Sequence, residues 1–171
     1  RRGRRSHKSR PRLAREGMMI QFDGSEHVWF GNVKCDLIGG IDDATGKVVG
    51  AEFFFGETSL NCMKVIREII DTYGLPESFY MDQAGAFGKV DGEQESQIGR
   101  AFDQTGIRLI LASSPQAKGK IERLWRTFQD RLIAELAFQG ITTIEEANSF
   151  LKEHFVPSYN LQFGSEAEEL N

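Results

Sequence analysis

The sequence predicts an α/β domain, a mixed sheet with helices on both faces. Two observations lead there. Apolar runs at β-hairpin spacing occupy residues 18–55, and from Ser59 onward helical periodicity alternates with two further short apolar runs. The resulting order is three strands, helix, strand, helix, strand, long helix, helix, which a layered α/β domain accommodates. With 171 residues, 40% of them hydrophobic, the chain can bury one sizeable core and has room for one ordinary domain plus extensions.

The runs "MMIQF" (18–22), ending at Asp23, "HVWFGNV", "KCDLIGGI" and "KVVGAEFFF" read as three antiparallel strands. Turns are expected at Gly24–Ser25, at Gly31–Asn32 and in "DDATGK" (42–47). Leu60, Met63, Ile66, Ile69, Ile70 and Tyr73 then recur at helical spacing until Gly74 and Pro76 end the helix. A fourth strand, "SFYMD", stops at Asp82, and the Gly-rich "QAGAFGKVDGEQES" reads as a loop. "QIGRAFDQTG" is a short helix closed by Gly106, and "IRLILAS" is the fifth strand.

Ser114 suits an N-cap and Pro115 a first helical position, so a strand-to-helix junction is expected there. In the long helix that follows, Ile121, Leu124, Trp125, Phe128, Leu132 and Leu136 make the buried stripe. Glu122, Arg126 and Gln129 share a neighbouring face. The last helix opens with a capping-box pattern from Thr142 to Glu145 and is expected to break at Pro157. This divides the chain into a basic arm (1–16), a core (17–157) and a C-terminal extension (158–171) that opens a further region.

No apolar run approaches membrane-spanning length and no apolar segment follows the basic N-terminus, so an intracellular protein is expected. Cys35 and Cys62 form no C-x-x-C pair and His7, His27 and His154 are scattered, which suggests neither a zinc site nor a disulfide framework. Both cysteines are expected in the core. The net charge of −4 hides an asymmetry: Arg1, Arg2, Arg4, Arg5, Lys8, Arg10, Arg12 and Arg15 carry +8 with no acid among them. Removing these from the 21 Lys and Arg leaves 13 cations against 25 acids, a body charge of −12. Such an arm cannot form a core and reads either as a nucleic-acid contact or as a solubilising tail.

Asp23 and Asp82 are each read at or near the end of an apolar strand, and Glu122 in the first turns of the long helix. Each has a plain reading: the aspartates as turn residues, Glu122 as a partner of Arg126 four residues on. Brought together by the sheet, three carboxylates need a compensating cation, and hard oxygen ligands select Mg²⁺ or Mn²⁺. Two such ions roughly 3.5–4 Å apart suit phosphodiester displacement. Asp42 and Asp43 compete for the place of Asp23, but "DDATGK" has the composition of a hairpin turn. His27, Trp29 and Trp125 read as packing or rim groups, Glu93 and Glu95 as loop acids, and Glu57, Glu68 and Asp71 as water-facing.

Four segments together resemble the catalytic core of the D-D-E recombinases, the insertion-sequence transposases and retroviral integrases with a ribonuclease-H-like fold. They are "MIQFDGSEHVWF", "DLIGGIDDATGKVVGA", "YMDQAGAF" and "SPQAKGKIERLWRTFQDRL", and the resemblance runs over about residues 17–160. Its most specific part is P-x-x-x-G-x-x-E, here Pro115, Gly119 and Glu122. The resemblance implies a ribonuclease-H-like mixed five-stranded sheet and a metal-binding triad of Asp23, Asp82 and Glu122 holding two Mg²⁺ or Mn²⁺ ions. It implies metal-dependent cleavage at transposon ends and transfer of the 3′-OH into target DNA, by an enzyme acting as a homo-oligomer on DNA in the bacterial cytoplasm.

Lys118, Lys120 and Arg126 become contacts to transposon-end DNA, beside the arm's Arg1, Arg2, Arg4, Arg5, Lys8, Arg10 and Arg12. The sequence departs from the family pattern in places. Thirty-nine residues separate Asp82 from Glu122, the usual basic residue after the second Asp is Gln83, and "YNLQFG" lacks the basic residues often found there. A ribonuclease-H-like nuclease or resolvase that only hydrolyses, or an inactive nucleic-acid-binding module, is the alternative reading.

Overall fold

Residues 11–82, 97–112 and 119–169 are described by the structure, a computed structural model. The expected N-cap at Ser114, the loop acids Glu93 and Glu95, Gln83, Lys118 and the arm to Arg10 lie outside the described residues. The strands are β1 (Ile20–Phe30), β2 (Val33–Asp42), β3 (Val48–Phe54), β4 (Ser78–Met81) and β5 (Arg108–Leu111). They form one sheet in the order β3-β2-β1-β4-β5, antiparallel from β3 to β1 and parallel from β1 to β5. The mixed five-stranded sheet is therefore as the sequence implies.

One strand boundary is corrected. The first strand does not end at Asp23 but runs on to Phe30, with Asp23 paired to Gly39, Gly24 to Ile38 and Ser25 to Leu37. Gly24 and Ser25 look like a turn in sequence but serve as strand residues, because β2 offers an unbroken ladder opposite them. A side chain at Gly24 would meet the Glu57 carboxylate, 2.5 Å from where its Cβ would stand. Only glycine leaves that carboxylate its place.

Helix α1 (Ser59–Tyr73) starts at the Thr58 cap, whose hydroxyl accepts from the Asn61 amide, and stops at Gly74, where φ is 89°. Helix α2 (Gln97–Thr105) closes at Gly106, also at positive φ. Helix α3 (Gly119–Phe138) buries the six residues that its periodicity marks. Helix α4 (Ile144–Phe150) is capped one residue later than the sequence suggests: Thr143 accepts from the Glu146 amide and donates to the Glu146 carboxylate.

The expected break at Pro157 does not occur. The helix widens into a π-helical turn over Leu151–Phe155, in which the Val156 amide bonds back to Leu151, and continues as α5 (Val156–Phe163). Proline lacks the N–H that an α-turn would need, and it falls at the start of the renewed helix, where that loss is tolerated.

Each face of the sheet carries its own core. Helix α3 and the helices after it cover Trp29, Leu37, Phe53 and Val48 on one face. On the other, α1 and α2 cover Ile20, Phe22, Ile38, Phe79 and Met81. Cys35 and Cys62 are free and buried, Trp29 and Trp125 are packing groups, and His27 stands exposed against the edge of Trp29. Asp71 pairs with Arg67 on the exposed side of α1, while Glu68 joins Glu52 on the ammonium of Lys152.

The C-terminal segment returns to the sheet. Both polar atoms of the Asn160 side chain engage Val48, its Nδ2 donating to the carbonyl and its Oδ1 accepting from the amide, each at 2.8 Å. The Ser165 amide donates to Thr45, and Arg15 bridges Glu169. Asn160→Ala would strand two part-buried backbone groups. We expect a loss of about 1–3 kcal/mol, read as a drop in the thermal midpoint of roughly 2–10 °C for a domain of this size.

Candidate active site

The parallel pairing of β1 with β4 sets the first two carboxylates side by side. Ile20 pairs with Phe79 and Gln21 with Tyr80. Carried two residues further, the same register sets Asp23 opposite Asp82, the residue directly after β4. Strands lie about 4.8 Å apart, and paired residues of parallel strands point to the same face. That face is the one under α3, since the alternate residues Ile20, Phe22, Phe79 and Met81 fill the opposite core. Both aspartates are half-buried.

Helix α3 crosses this face along β1. At its first turn the Ile121 amide donates to the Gln21 side chain at 3.2 Å, and two turns on, Gln129 donates to the Ser25 hydroxyl at 3.3 Å. Asp23 lies between those two contacts on the same face of β1. Trp125 turns toward β2, where it reaches Gly39, the partner of Asp23; a Cβ there would stand 3.2 Å from the indole and 2.8 Å from the Gly50 carbonyl. Trp125 takes the β2 side, and Gln129, on the stripe that it shares with Glu122 and Arg126, reaches β1 at Ser25. Glu122 is exposed and makes no ion pair with Arg126 or with any other described residue. The helix-surface salt bridge is therefore absent.

The donors of this face are carboxylate oxygens, which suit Mg²⁺ or Mn²⁺ better than a soft metal. Among the described residues no three His, Cys, Asp or Glu side chains already stand together as a preformed metal cluster. The β1–β4 register points Asp23 toward Asp82, and the side chains of Asp23, Asp82 and Glu122 do not form a cluster in this structure. Further acids surround them. Glu57 lies against Gly24, and burial, followed by the charges of Glu57 and Asp23, pushes the Cys62 thiol up to about 12. Burial and then Glu26 also raise the Asp36 carboxyl above its ordinary value.

Asp42 and Asp43 are turn residues, as "DDATGK" suggests, and both are fully buried. Asp42 accepts from the Thr45 amide and hydroxyl and from the Gly17 amide. Asp43 accepts from the Leu13 amide and from Gln21 and pairs with Lys120 at 2.9 Å. The Lys120 ammonium thus turns inward to Asp43, with only 18% of its side chain exposed. Arg126 is exposed, and Arg12 donates to the Ala44 carbonyl and the Ser165 hydroxyl. Gln21, buried on the same face of β1 as Asp23, joins Asp43 to the Ile121 amide. Its signal in the sequence is an amide inside the apolar run "MMIQF".

No family model matches the chain. It is 40% identical over 162 residues to the putative transposase y4bF of Sinorhizobium fredii, covering 90% of this chain and 35% of that protein. It is also 40% identical over 169 residues to the transposase for insertion sequence IS1202 of Streptococcus pneumoniae, covering 95% and 36%. Among solved structures, the HTLV-2 integrase catalytic core domain in complex with magnesium, in its dimeric form, superposes with a TM-score of 0.61 at 19% identity, over 82% of this chain and 89% of that one. The chain is thus similar in sequence to a part of two transposases and has the fold of the integrase catalytic core. The integrase likeness establishes the shared fold, the 40% identities tie the core to transposases, and the chain spans about a third of the length of those relatives.

The Asp42 turn yields a direct test. Asp42→Ala removes a carboxylate that serves three donors without solvent access, so the domain should lose on the order of 3 kcal/mol in denaturant titrations. Mn²⁺ affinity of the folded fraction should stay unchanged by calorimetry.

Proposed function

We propose that the chain is the catalytic core of a DNA transposase, in which Asp23, Asp82 and Glu122 hold two Mg²⁺ or Mn²⁺ ions. The observation that carries the proposal is the β1–β4 register. It sets Asp23 beside Asp82 under a helix whose first turn bears Glu122, in a chain 40% identical to two transposases. Divalent cations held there supply Lewis acidity at the attacking and leaving oxygens of a phosphodiester displacement.

The chain's own residues supply the rest. Asp23 stands within β1, Asp82 directly follows β4 and Glu122 lies in the first turn of α3, so each ligand would be carried on or beside a regular element. Water first opens the phosphodiester at the transposon end, and the freed 3′-OH then attacks target DNA, with no covalent enzyme intermediate. Arg126, exposed one turn beyond Glu122, and Lys118 offer charge to the DNA backbone. The arm cations Arg1, Arg2, Arg4, Arg5, Lys8 and Arg10 add sequence-independent contacts, and the protein works as a homo-oligomer on DNA in the bacterial cytoplasm.

Glu122→Gln should abolish both cleavage of end-containing oligonucleotides and joining of their 3′ ends to a plasmid. Because Glu122 is exposed and without an ion pair, the thermal midpoint should move by less than about 1–2 °C, the scale of a lost surface charge. Retained activity would overturn the triad. Removal of residues 1–10 should weaken DNA binding with little dependence on sequence. If about four arm cations touch phosphates, the slope of log K against log salt should fall in magnitude by roughly 3–4; an unchanged slope would make the arm a mere tail.

A further inference from the structure

Lys120, Asp43 and Gln21 form a small buried network at the corner where α3 meets β1 and the β2–β3 turn. Asp43 has no exposed surface, and a buried carboxylate is tolerated only when its oxygens are matched. Its Oδ1 receives Gln21 Nε2 at 2.9 Å and Lys120 Nζ at 2.9 Å, and its Oδ2 receives the Leu13 amide at 3.1 Å. The same ammonium donates to the Asp43 carbonyl at 2.6 Å. Gln21, 2% exposed, spends its other end on the Ile121 amide. That amide lies in the first turn of α3, where N–H groups have no partner within the helix.

Two residues of the proposed triad are direct neighbours of this network. Gln21 precedes Asp23 by two residues on the same face of β1, and Lys120 and Ile121 immediately precede Glu122. We infer that Gln21, Asp43 and Lys120 are positioning residues that fix the first turn of α3 against β1 and so set the separation of Glu122 from Asp23. The inference rests on the triad proposed above. It also gives Lys120 a role other than phosphate contact: its charge is committed to Asp43, and a lysine on DNA would have to leave a carboxylate with no access to water.

The test uses the full chain and three variants, Gln21→Leu, Lys120→Met and Lys120→Arg, with Asn160→Ala as a destabilised control whose side chain bonds Val48 and none of Gln21, Asp43 and Lys120. The readouts are Mn²⁺ affinity by calorimetry, kcat and KM for cleavage of an end-containing oligonucleotide, and hydrogen exchange of the Ile121 amide without metal. Gln21→Leu and Lys120→Met should weaken Mn²⁺ binding by about 10-fold or more, the usual effect of losing a group that orients a metal ligand. They should lower kcat with KM for DNA unchanged. Exchange at Ile121 should speed up in Gln21→Leu, and Lys120→Arg should recover most of the Mn²⁺ affinity.

Asn160→Ala should lower the thermal midpoint and leave Mn²⁺ affinity as in the wild type. Should Gln21→Leu fail to fold, the Lys120 pair is read in the same way. Wild-type Mn²⁺ affinity in folded Gln21→Leu and Lys120→Met would overturn the inference alone. So would a raised KM and a shallower salt slope in Lys120→Met with Mn²⁺ affinity intact, since that is the profile of a phosphate contact. A wild-type chain without Mn²⁺ binding or metal-dependent cleavage would overturn the functional reading and the inference together.

Discussion

β1 lies at the centre of the sheet, and because successive side chains of a strand point to opposite faces, its residues are divided between two different tasks. Ile20 and Phe22 enter the core beneath α1 and α2. Gln21, Asp23 and Ser25 face α3, where Gln21 and Ser25 hold the helix at two points. A slip of one residue against β4 would exchange the two sets, burying Asp23 among aromatic rings. The apolar face of β1 therefore fixes the register that the carboxylates need. Stability and site geometry rest on the same pairing.

Electrostatics divides the acids of the domain into two kinds. Asp42 and Asp43 are buried and fully matched by amides, a hydroxyl and Lys120, so they hold structure. Asp23, Asp82 and Glu122 are partly or wholly open to solvent. Burial first, and then the charges of Glu57, Asp23 and Asp36, raise the Cys62 thiol. Acids that a fold leaves accessible on one face can be neutralised from solution, whereas buried ones must bring their cation with them.

Both ends of the described chain meet at the same corner. The Leu13 amide reaches Asp43, Arg12 reaches Ala44 and Ser165, and Arg15 bridges Glu169. Residues 12–15 are thereby held beside the β2–β3 turn, whose Asp43 also takes Lys120 of the first turn of α3.

Much of this could be read from residue order alone. The buried stripe of α3, the stop at Gly74, the Asp82 strand end and the Glu122 helix turn all follow from periods of two and 3.6 and from local capping chemistry, which involve neighbours a few residues apart. The family motifs pointed to the same three acids. What residue order could not supply was pairing between distant segments. Gly24 and Ser25 have turn composition, yet β2 makes them strand residues; Pro157 has the look of a helix end, yet a widened turn carries the helix past it. The family resemblance puts Lys120 among the DNA contacts. Asp43, 77 residues away, draws it inward, and Gln21 meets Ile121 across 100 residues. Such contacts arise only once the sheet register and the seat of α3 are set, and the buried charge of Asp43 then leaves Lys120 little freedom to be anything but its partner.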